Sequence, residues 1–401
     1  MNPCHQDTQR AWNRSLANEG TQAVQGKRTD VSTISPPRSP ALAMLEFDHL
    51  GLWVGNAKQA AHYYCTAFGF APLAYAGPET GVKDAASYVV RQNDLTLVLT
   101  SALAPGSPIA EHVKRHGDGV RDVALRTSDA REAFTASVAG GAIPLAEPAV
   151  AEDEHGIVVT ARVATYGDTV HTFVERGTYR GPWLPGYRPW SALMPTANEV
   201  GLVRIDHCVG NVGWGEMDRW CAYYAKAFGF TQLIGFDDKD ISTEFTALRS
   251  KVMQSPSGKV KMPINEPAEG LKRSQIEEYL DFYGGPGIQH VAIATNDIVE
   301  TVRALRGNGV ELLETPASYY EKLADRVGVI AEDLAILRGL NILVDRDDQG
   351  YMLQIFTKPL QDRPTMFFEI IQRRGSLSFG KGNFKALFVS IEQEQAKRGN
   401  L

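Results

Sequence analysis

Cysteine is scarce in this chain, with Cys4, Cys65, Cys208 and Cys221 alone among 401 residues. They form neither metal-type pairs nor a dense framework, which argues against a disulfide-stapled or thiolate-metal fold and points to a reduced, cytoplasmic protein. Excess charge is also missing. A net charge of −6 is too small to draw the chain to nucleic acid or to an anionic membrane. No apolar run approaches the roughly 20 residues that a spanning helix needs. Histidine is unevenly spread: of nine, His207 and His290 alone lie beyond Gly177. Hydrophobic periodicity is absent from Met1 to Leu42, a polar stretch rich in Gln, Asn, Ser, Thr and Pro. It has no apolar signal core, and Asp7, Glu19 and Asp30 weaken a transit-peptide reading. Residues 1–43 are expected to be a disordered tail, or sequence upstream of a start at Met44.

What remains is an ordinary globular composition, 43% hydrophobic and 22% charged, in a chain long enough for two domains. From Leu45 the sequence repeats itself. Leu45-Glu46-Phe47-Asp48-His49 opens an alternating run, followed by a helical segment with Tyr63-Tyr64 and then Ala67-Phe68-Gly69-Phe70. Ile205-Asp206-His207 opens a matching run, followed by Tyr223-Tyr224 and Ala227-Phe228-Gly229-Phe230. A second pair of segments corresponds in the same way, Gly119–Leu125 with Gly287–Ile293, each leading to an aspartate (Asp129, Asp297) placed to cap a helix. The pattern predicts four β-α-β-β-β modules and an α+β class: two domains of paired modules, each an open barrel around a cavity. The expected layout is a first domain over 44–176, a Gly/Pro/Trp-rich linker over 177–202 and a second domain over 203–401. Tyr319–Leu340 should add helical turns, and a helix near Asn383–Arg398 should close the chain.

The repeat carries its own control. His207 aligns with His49, His290 with Asp122, and Glu369 with Thr172. Glu369 is a lone carboxylate inside the apolar run Met366–Ile371, where burial is costly without a partner. A satisfied core glutamate is the plain explanation. Two histidines at internally equivalent strand positions favour a metal site instead, made by His207, His290 and Glu369. Two imidazoles and one carboxylate suit non-haem Fe(II) with open coordination positions, while Zn²⁺ with an activated water is the physical rival. The long separations exclude a short helical zinc motif, but they do not choose the metal.

Around these residues strand alternation places Phe367 with Glu369, and Gln354 with Phe356. Uncharged Ser250, Asn265 and Gln275 lie upstream. Together they describe a cavity with aromatic walls and fixed amide and hydroxyl groups, suited to a polar aromatic ligand.

The stretches Ile205–Asn211, Pro263–Pro267, Ser274–Ile276, Gly287–His290, Leu353–Pro359, Phe368–Ile371 and Phe379–Phe384 resemble the 4-hydroxyphenylpyruvate dioxygenase family. The resemblance runs from about Phe47 to Leu401 and is most specific beyond Arg204. It implies the vicinal-oxygen-chelate fold and one Fe(II) per chain on His207, His290 and Glu369. It also implies O₂-dependent conversion of 4-hydroxyphenylpyruvate to homogentisate, by oxidative decarboxylation, ring hydroxylation and side-chain migration, as in tyrosine catabolism. Family pocket positions fall on Ser250, Asn265, Gln275, Gln354, Phe356, Phe367, Asn383 and Phe384, with Gln275, Gln354 and Phe356 nearest the chemistry. Gln289 matches too, although alternation turns it away from the face of His290. The C-terminal helix corresponds to a lid, with Phe384 facing inward and Gly380 and Gly382 permitting movement. A homo-oligomer, dimer or tetramer, is expected. Two alternatives stand beside this reading. One is 4-hydroxymandelate synthase, which acts on the same substrate and against which Phe356 and Pro263 speak. The other is a non-catalytic binding protein on the same scaffold.

Overall fold

The computed structural model describes residues 39–191, 199–237, 243 and 245–400, so most of the expected tail, and 192–198 of the expected linker, lie outside the described residues. Seventeen strands form two sheets of nine and eight. The first contains β1 (Glu46–Trp53), β2 (Ala71–Ala76), β3 (Ala85–Gln92), β4 (Leu95–Ala102), β5 (Gly119–Arg126), β6 (Pro144–Asp153), β7 (Gly156–Ala164), β8 (Val170–Glu175) and the short β9 (Arg188–Pro189). The second contains β10 (Leu202–Asn211), β11 (Thr231–Phe236), β12 (Ala247–Gln254), β13 (Lys261–Ala268), β14 (Gly287–Thr295), β15 (Leu343–Asp347), β16 (Gly350–Phe356) and β17 (Phe367–Arg374).

The strand orders bear out the duplication. The first sheet runs β6-β7-β8-β5-β1-β4-β3-β2-β9 and the second β11-β12-β13-β10-β14-β17-β16-β15. Read from opposite ends and leaving out β9, the two are the same. In each, the first strands of the paired modules run antiparallel (β1 with β5, β10 with β14). Each of those strands runs parallel to the last strand of its own module: β1 with β4, β5 with β8, β10 with β13 and β14 with β17. A helix follows the first strand of every module. The expected extra turns are the helices Ala317–Glu321, Leu323–Val327 and Leu334–Gly339, and Phe384–Lys397 is the closing helix.

The repeated aromatic signature packs crosswise between the halves. Tyr64 and Phe68, from the first half, meet Phe368 of β17 with ring centroids 6.0 and 5.3 Å apart. Phe228, from the second half, meets Phe173 of β8 at 5.9 Å. Both helices end before a glycine with left-handed backbone, Gly69 (φ 70°) and Gly229 (φ 69°), which lets the chain reverse and bury Phe70 and Phe230. One core is therefore shared, and each sheet keeps a separate face for other use.

Two expectations need correction. The chain is already folded before Leu45: Ser39 caps the helix Pro40–Ala43, Ala41 and Leu42 are buried, and Ser39 Oγ donates to Glu132 at 2.9 Å. A run of four apolar residues needs no periodicity to bury itself. Nor is Gly177–Trp190 a plain tether. β9 pairs with β2, and Trp183 is buried against Ala74, Val89 and Val98. Its ring lies edge-on to His49 at 5.0 Å and beneath the Arg176 guanidinium at 4.1 Å. Trp183 thus fills the place in the first half that corresponds to the surroundings of His207. Replacing it should cost stability: Trp183→Ala is expected to lose about 3–5 kcal/mol, read as a lower denaturation midpoint at unchanged slope.

Candidate metal centre and its pocket

Register explains how residues far apart in sequence converge. His207 on β10 lies opposite Ala292 on β14, and Ala292 lies opposite Glu369 on β17. Cross-strand partners share a face, so the three side chains form a row with the smallest in the middle. His290, two residues before Ala292, projects from the same face. Across the space above Ala292, Nε2 of His207 is 3.3 Å from Glu369 Oε2 and Nε2 of His290 is 3.6 Å from it. The ligand atoms of the three residues all lie within 4.8 Å of one another. The expected trio is brought together.

The electrostatics fit a cation. Burial raises the Glu369 carboxyl, but the imidazole of His207, and then that of His290, hold it down to about 2. Burial pushes His207 downward, and the charges of Glu369 and Asp206 more than offset it, so its imidazole holds its proton above the ordinary histidine range. Burial prevails at His290 and keeps it neutral to lower pH. Nδ1 of His290 is buried with no hydrogen-bond partner among the described residues. An ionised acid and two imidazoles form a donor set that a divalent metal would satisfy.

A supporting pair was not anticipated. Asp206 Oδ1 is 2.8 Å from His207 Nδ1, and Arg373 grips Asp206 with Nε and Nη2 at 2.8 Å each. Burial raises the Asp206 carboxyl, yet Arg373 and His207 hold it well below the usual range. Neighbours in a strand ordinarily face opposite ways. Here β10 gains a residue between Ile205 and His207 relative to β14, and this bulge turns Asp206 inward beside His207. The first half repeats the arrangement, with Asp48 between His49 (2.8 Å) and Arg176 (2.7 Å). It lacks the other two ligands, because Thr172 instead donates its hydroxyl to Asp122. The signal available in the sequence was the paired Asp-His, matched by an arginine four residues beyond Thr172 and Glu369.

The cavity beside the trio is lined by Ser250, Asn265, Gln275, Gln289, Gln354, Phe356, Phe367 and Phe384. Pro263, Val209, Phe236, Leu248, Phe379, Leu387 and Phe388, whose part was not foreseen beyond Pro263, also line it. Gln289 corrects the argument from alternation: β14 advances from His290 to Ile288 while β10 advances one residue, from Val209 to Gly210, so Gln289 sits at a bulge and faces the cavity with His290. Ser250 and Asn265 are direct partners across β12 and β13. Phe367 stacks on the His290 ring (4.9 Å, 17°), and Phe356 stands edge-on to it (6.2 Å, 90°).

Asn383 does not line this cavity. Its Oδ1 accepts from the Tyr319 hydroxyl at 2.6 Å and from Arg326 at 3.3 Å, because the turn entering the last helix points it toward the helical insertion. The glycines expected to permit movement are required for close approach instead. A Cβ on Gly380 (φ +76°) would lie 2.9 Å from both terminal atoms of Gln354, and one on Gly382 would strike Arg326 and Asp345. From the final helix, Phe384, Leu387 and Phe388 cover the cavity. Thr246 secures that helix through Glu392 at 2.6 Å, and Arg398 does so through Glu278 at 2.8 Å.

Comparison with known proteins gives this geometry a family. The Glyoxalase/Bleomycin resistance protein/Dioxygenase superfamily models match residues 48–160 and 204–355, one in each half. A 4-hydroxyphenylpyruvate dioxygenase of Yarrowia lipolytica is 50% identical over 370 residues, covering 88% of this chain and 93% of that protein. The chain belongs to the 4-hydroxyphenylpyruvate dioxygenase family. Other dioxygenases of that name are 48% identical in Aspergillus fumigatus (92% of this chain, 98% of that one) and 49% identical in Danio rerio (89% and 92%). Among solved structures, a mutant of 4-hydroxymandelate synthase from Streptomyces coelicolor superposes with a TM-score of 0.78 at 33% identity, covering 90% of this chain and 99% of that one. As an oxidoreductase of this superfamily, the dioxygenase needs a metal, and the His-His-Glu trio is chemically able to hold it.

Removing the support behind His207 is expected to loosen that metal. Asp206→Asn should weaken affinity about 10–100-fold, measured by competition against a chromophoric chelator. Because His207 keeps its proton to higher pH than a free imidazole, metal uptake should release protons, and affinity should fall as pH drops.

Proposed function

We propose that this dioxygenase converts 4-hydroxyphenylpyruvate and O₂ to homogentisate and CO₂, with one Fe(II) per chain held by His207, His290 and Glu369. The observation that carries the reading is the convergence of those three side chains, with no fourth protein ligand among the described residues, beside a cavity walled by Phe356 and Phe367. We read the second half, 203–401, as the catalytic domain, 44–176 as its degenerate sister and 177–202 as the connection.

Iron bound there would coordinate the 2-oxo acid and O₂ and supply the redox chemistry. The protein's part is placement. Phe356 and Phe367, already packed against His290, hold the ring near the metal-facing end of the cavity. Ser250, Asn265 and Gln275 offer hydroxyl and amide groups to the phenol, with Asn265 steadied by Asn211 at 3.4 Å. Gln275 opens a helix whose Ser274–Glu277 capping box fixes its start. Gln289 and Gln354 complete the polar lining, the latter in room that a Cβ on Gly380 would take. Phe384, Leu387 and Phe388 exclude water while the ring is oxidised. One oxygen atom ends in the new carboxylate and the other on the ring, so the 2-oxo acid serves as its own reductant.

Ring rather than side-chain oxidation follows from the aromatic wall at Phe356. The relatives at 48–50% identity are named 4-hydroxyphenylpyruvate dioxygenase, against 33% identity for the 4-hydroxymandelate synthase mutant. A homo-oligomer is also part of this proposal. Its contact is placed on the edge formed by β6 and β7, where Leu145, Val150 and Ile157 are about half exposed (50, 52 and 47%).

Three outcomes test the reading. The full chain with ferrous iron and 4-hydroxyphenylpyruvate should yield homogentisate, and 4-hydroxymandelate as the main product would overturn it. His290→Ala and Glu369→Ala should each abolish O₂ uptake while leaving the circular-dichroism spectrum intact, whereas Phe356→Val should divert product toward 4-hydroxymandelate. Leu145→Asp with Val150→Asp should lower the mass seen by light scattering if that edge joins subunits.

A further inference from the structure

A second cluster of potential ligands lies outside the catalytic cavity. The helix Pro108–His116, capped by Ser107, buries His112 and His116 four residues apart on one face. Asp168, in the turn before β8, reaches them: its Oδ2 is 2.8 Å from His116 Nε2. Donor atoms of His112, His116 and Asp168 all lie within 4.8 Å of one another.

The two histidines are held differently. His116 directs Nδ1 to the backbone carbonyl of Tyr283, at the end of the helix Gln275–Tyr283, and its ring stacks on that tyrosine at 4.3 Å. With Nδ1 engaged there, Nε2 is the ring nitrogen turned toward Asp168. That is the orientation a carbonyl imposes on a metal-ligating imidazole. His112 is 5% exposed, and neither of its ring nitrogens has a hydrogen-bond partner among the described residues. Its ring lies 4.5 Å from that of His116 and edge-on to Trp53 at 5.2 Å. Buried imidazoles are ordinarily satisfied through at least one nitrogen. One satisfied through neither, facing a second imidazole and a carboxylate, is explained by a ligand that takes a lone pair.

We propose that His112, His116 and Asp168 form a second metal site, which takes a zinc-class divalent cation beside the helix carrying Gln275. Two imidazoles and one carboxylate without thiolate suit Zn²⁺ or Co²⁺ at three positions, leaving one for solvent. Bonds of about 2.1 Å in a tetrahedral site separate donors by about 3.4 Å, so closing around the ion asks for movements of little more than 1 Å. Two guanidiniums oppose a cation. Arg115 Nη1 stands 3.8 Å from Asp168 with a side chain 60% exposed, and Nη2 is engaged by the Gly284 carbonyl at 2.9 Å. Arg121 is drawn over the Trp53 ring at 4.9 Å. Solvent screens the first, and the aromatic face accepts part of the charge of the second.

The test counts metal in the full chain. Metal-stripped protein is titrated with Co²⁺, followed by visible absorption and by elemental analysis after gel filtration. Two equivalents per chain are expected in the wild type, one in Glu369→Ala, one in His112→Leu and none in the double variant. Asp168→Asn, altered at a partly exposed side chain, should weaken the second equivalent at least tenfold, and Zn²⁺ should raise the melting temperature of Glu369→Ala but not of Glu369→Ala with Asp168→Asn. A single equivalent in the wild type, or an undiminished second equivalent in folded Asp168→Asn, would overturn the proposal.

Discussion

A carboxylate buried among phenylalanines is the constraint on which the second half depends. Glu369 is 4% exposed on a strand otherwise apolar through its centre, and an ionised acid there is tolerable when positive or proton-sharing groups meet it. His207 and His290 meet it because three strands lie side by side in one register, with Ala292 leaving room between them. The same register sets Phe367 on His290 and Phe356 beside Glu369. Metal-holding power and the aromatic wall therefore share one origin in strand pairing.

The two halves show what that register needs beyond a fold. Both contain an aspartate bulged inward, a histidine bonded to it and an arginine closing behind. The Asp-His-Arg unit is thus part of the framework and does not by itself make a metal centre. What distinguishes the second half is His290 and Glu369 in place of Asp122 and Thr172, beside an open cavity, while Phe379 takes the place against His207 and Arg373 that Trp183 has against His49 and Arg176. The last helix of the chain, not the connecting segment, closes that space.

Much of this was legible because the sequence contains two copies of one pattern. Comparing them singled out His207, His290 and Glu369, and period-two alternation correctly paired Phe367 with Glu369 and Gln354 with Phe356. The misreadings share a cause: alternation assumes that no residue is inserted. One extra residue at Asp206 and another at Gln289 reverse the facing of those side chains, and nothing in composition marks a bulge. Asn383 was misplaced because its turn answers to Tyr319 and Arg326 in an inserted segment with no counterpart in the other copies. Trp183 and the pair His112 and His116 depend on contacts far away in the chain, with His49 in one case and Tyr283 and Asp168 in the other. Periodicity is blind to such contacts.

The crosswise seating of Phe68 on Phe368 and of Phe228 on Phe173 has a consequence for taking the molecule apart. Each half lends aromatic side chains to the back of the strand that, in the other half, carries Glu369 or Thr172. The second half severed from its sister would leave the rear of β17 bare to water, together with the rings of Phe228 and Phe230. The first half in this sense covers a surface of its twin that would otherwise face water.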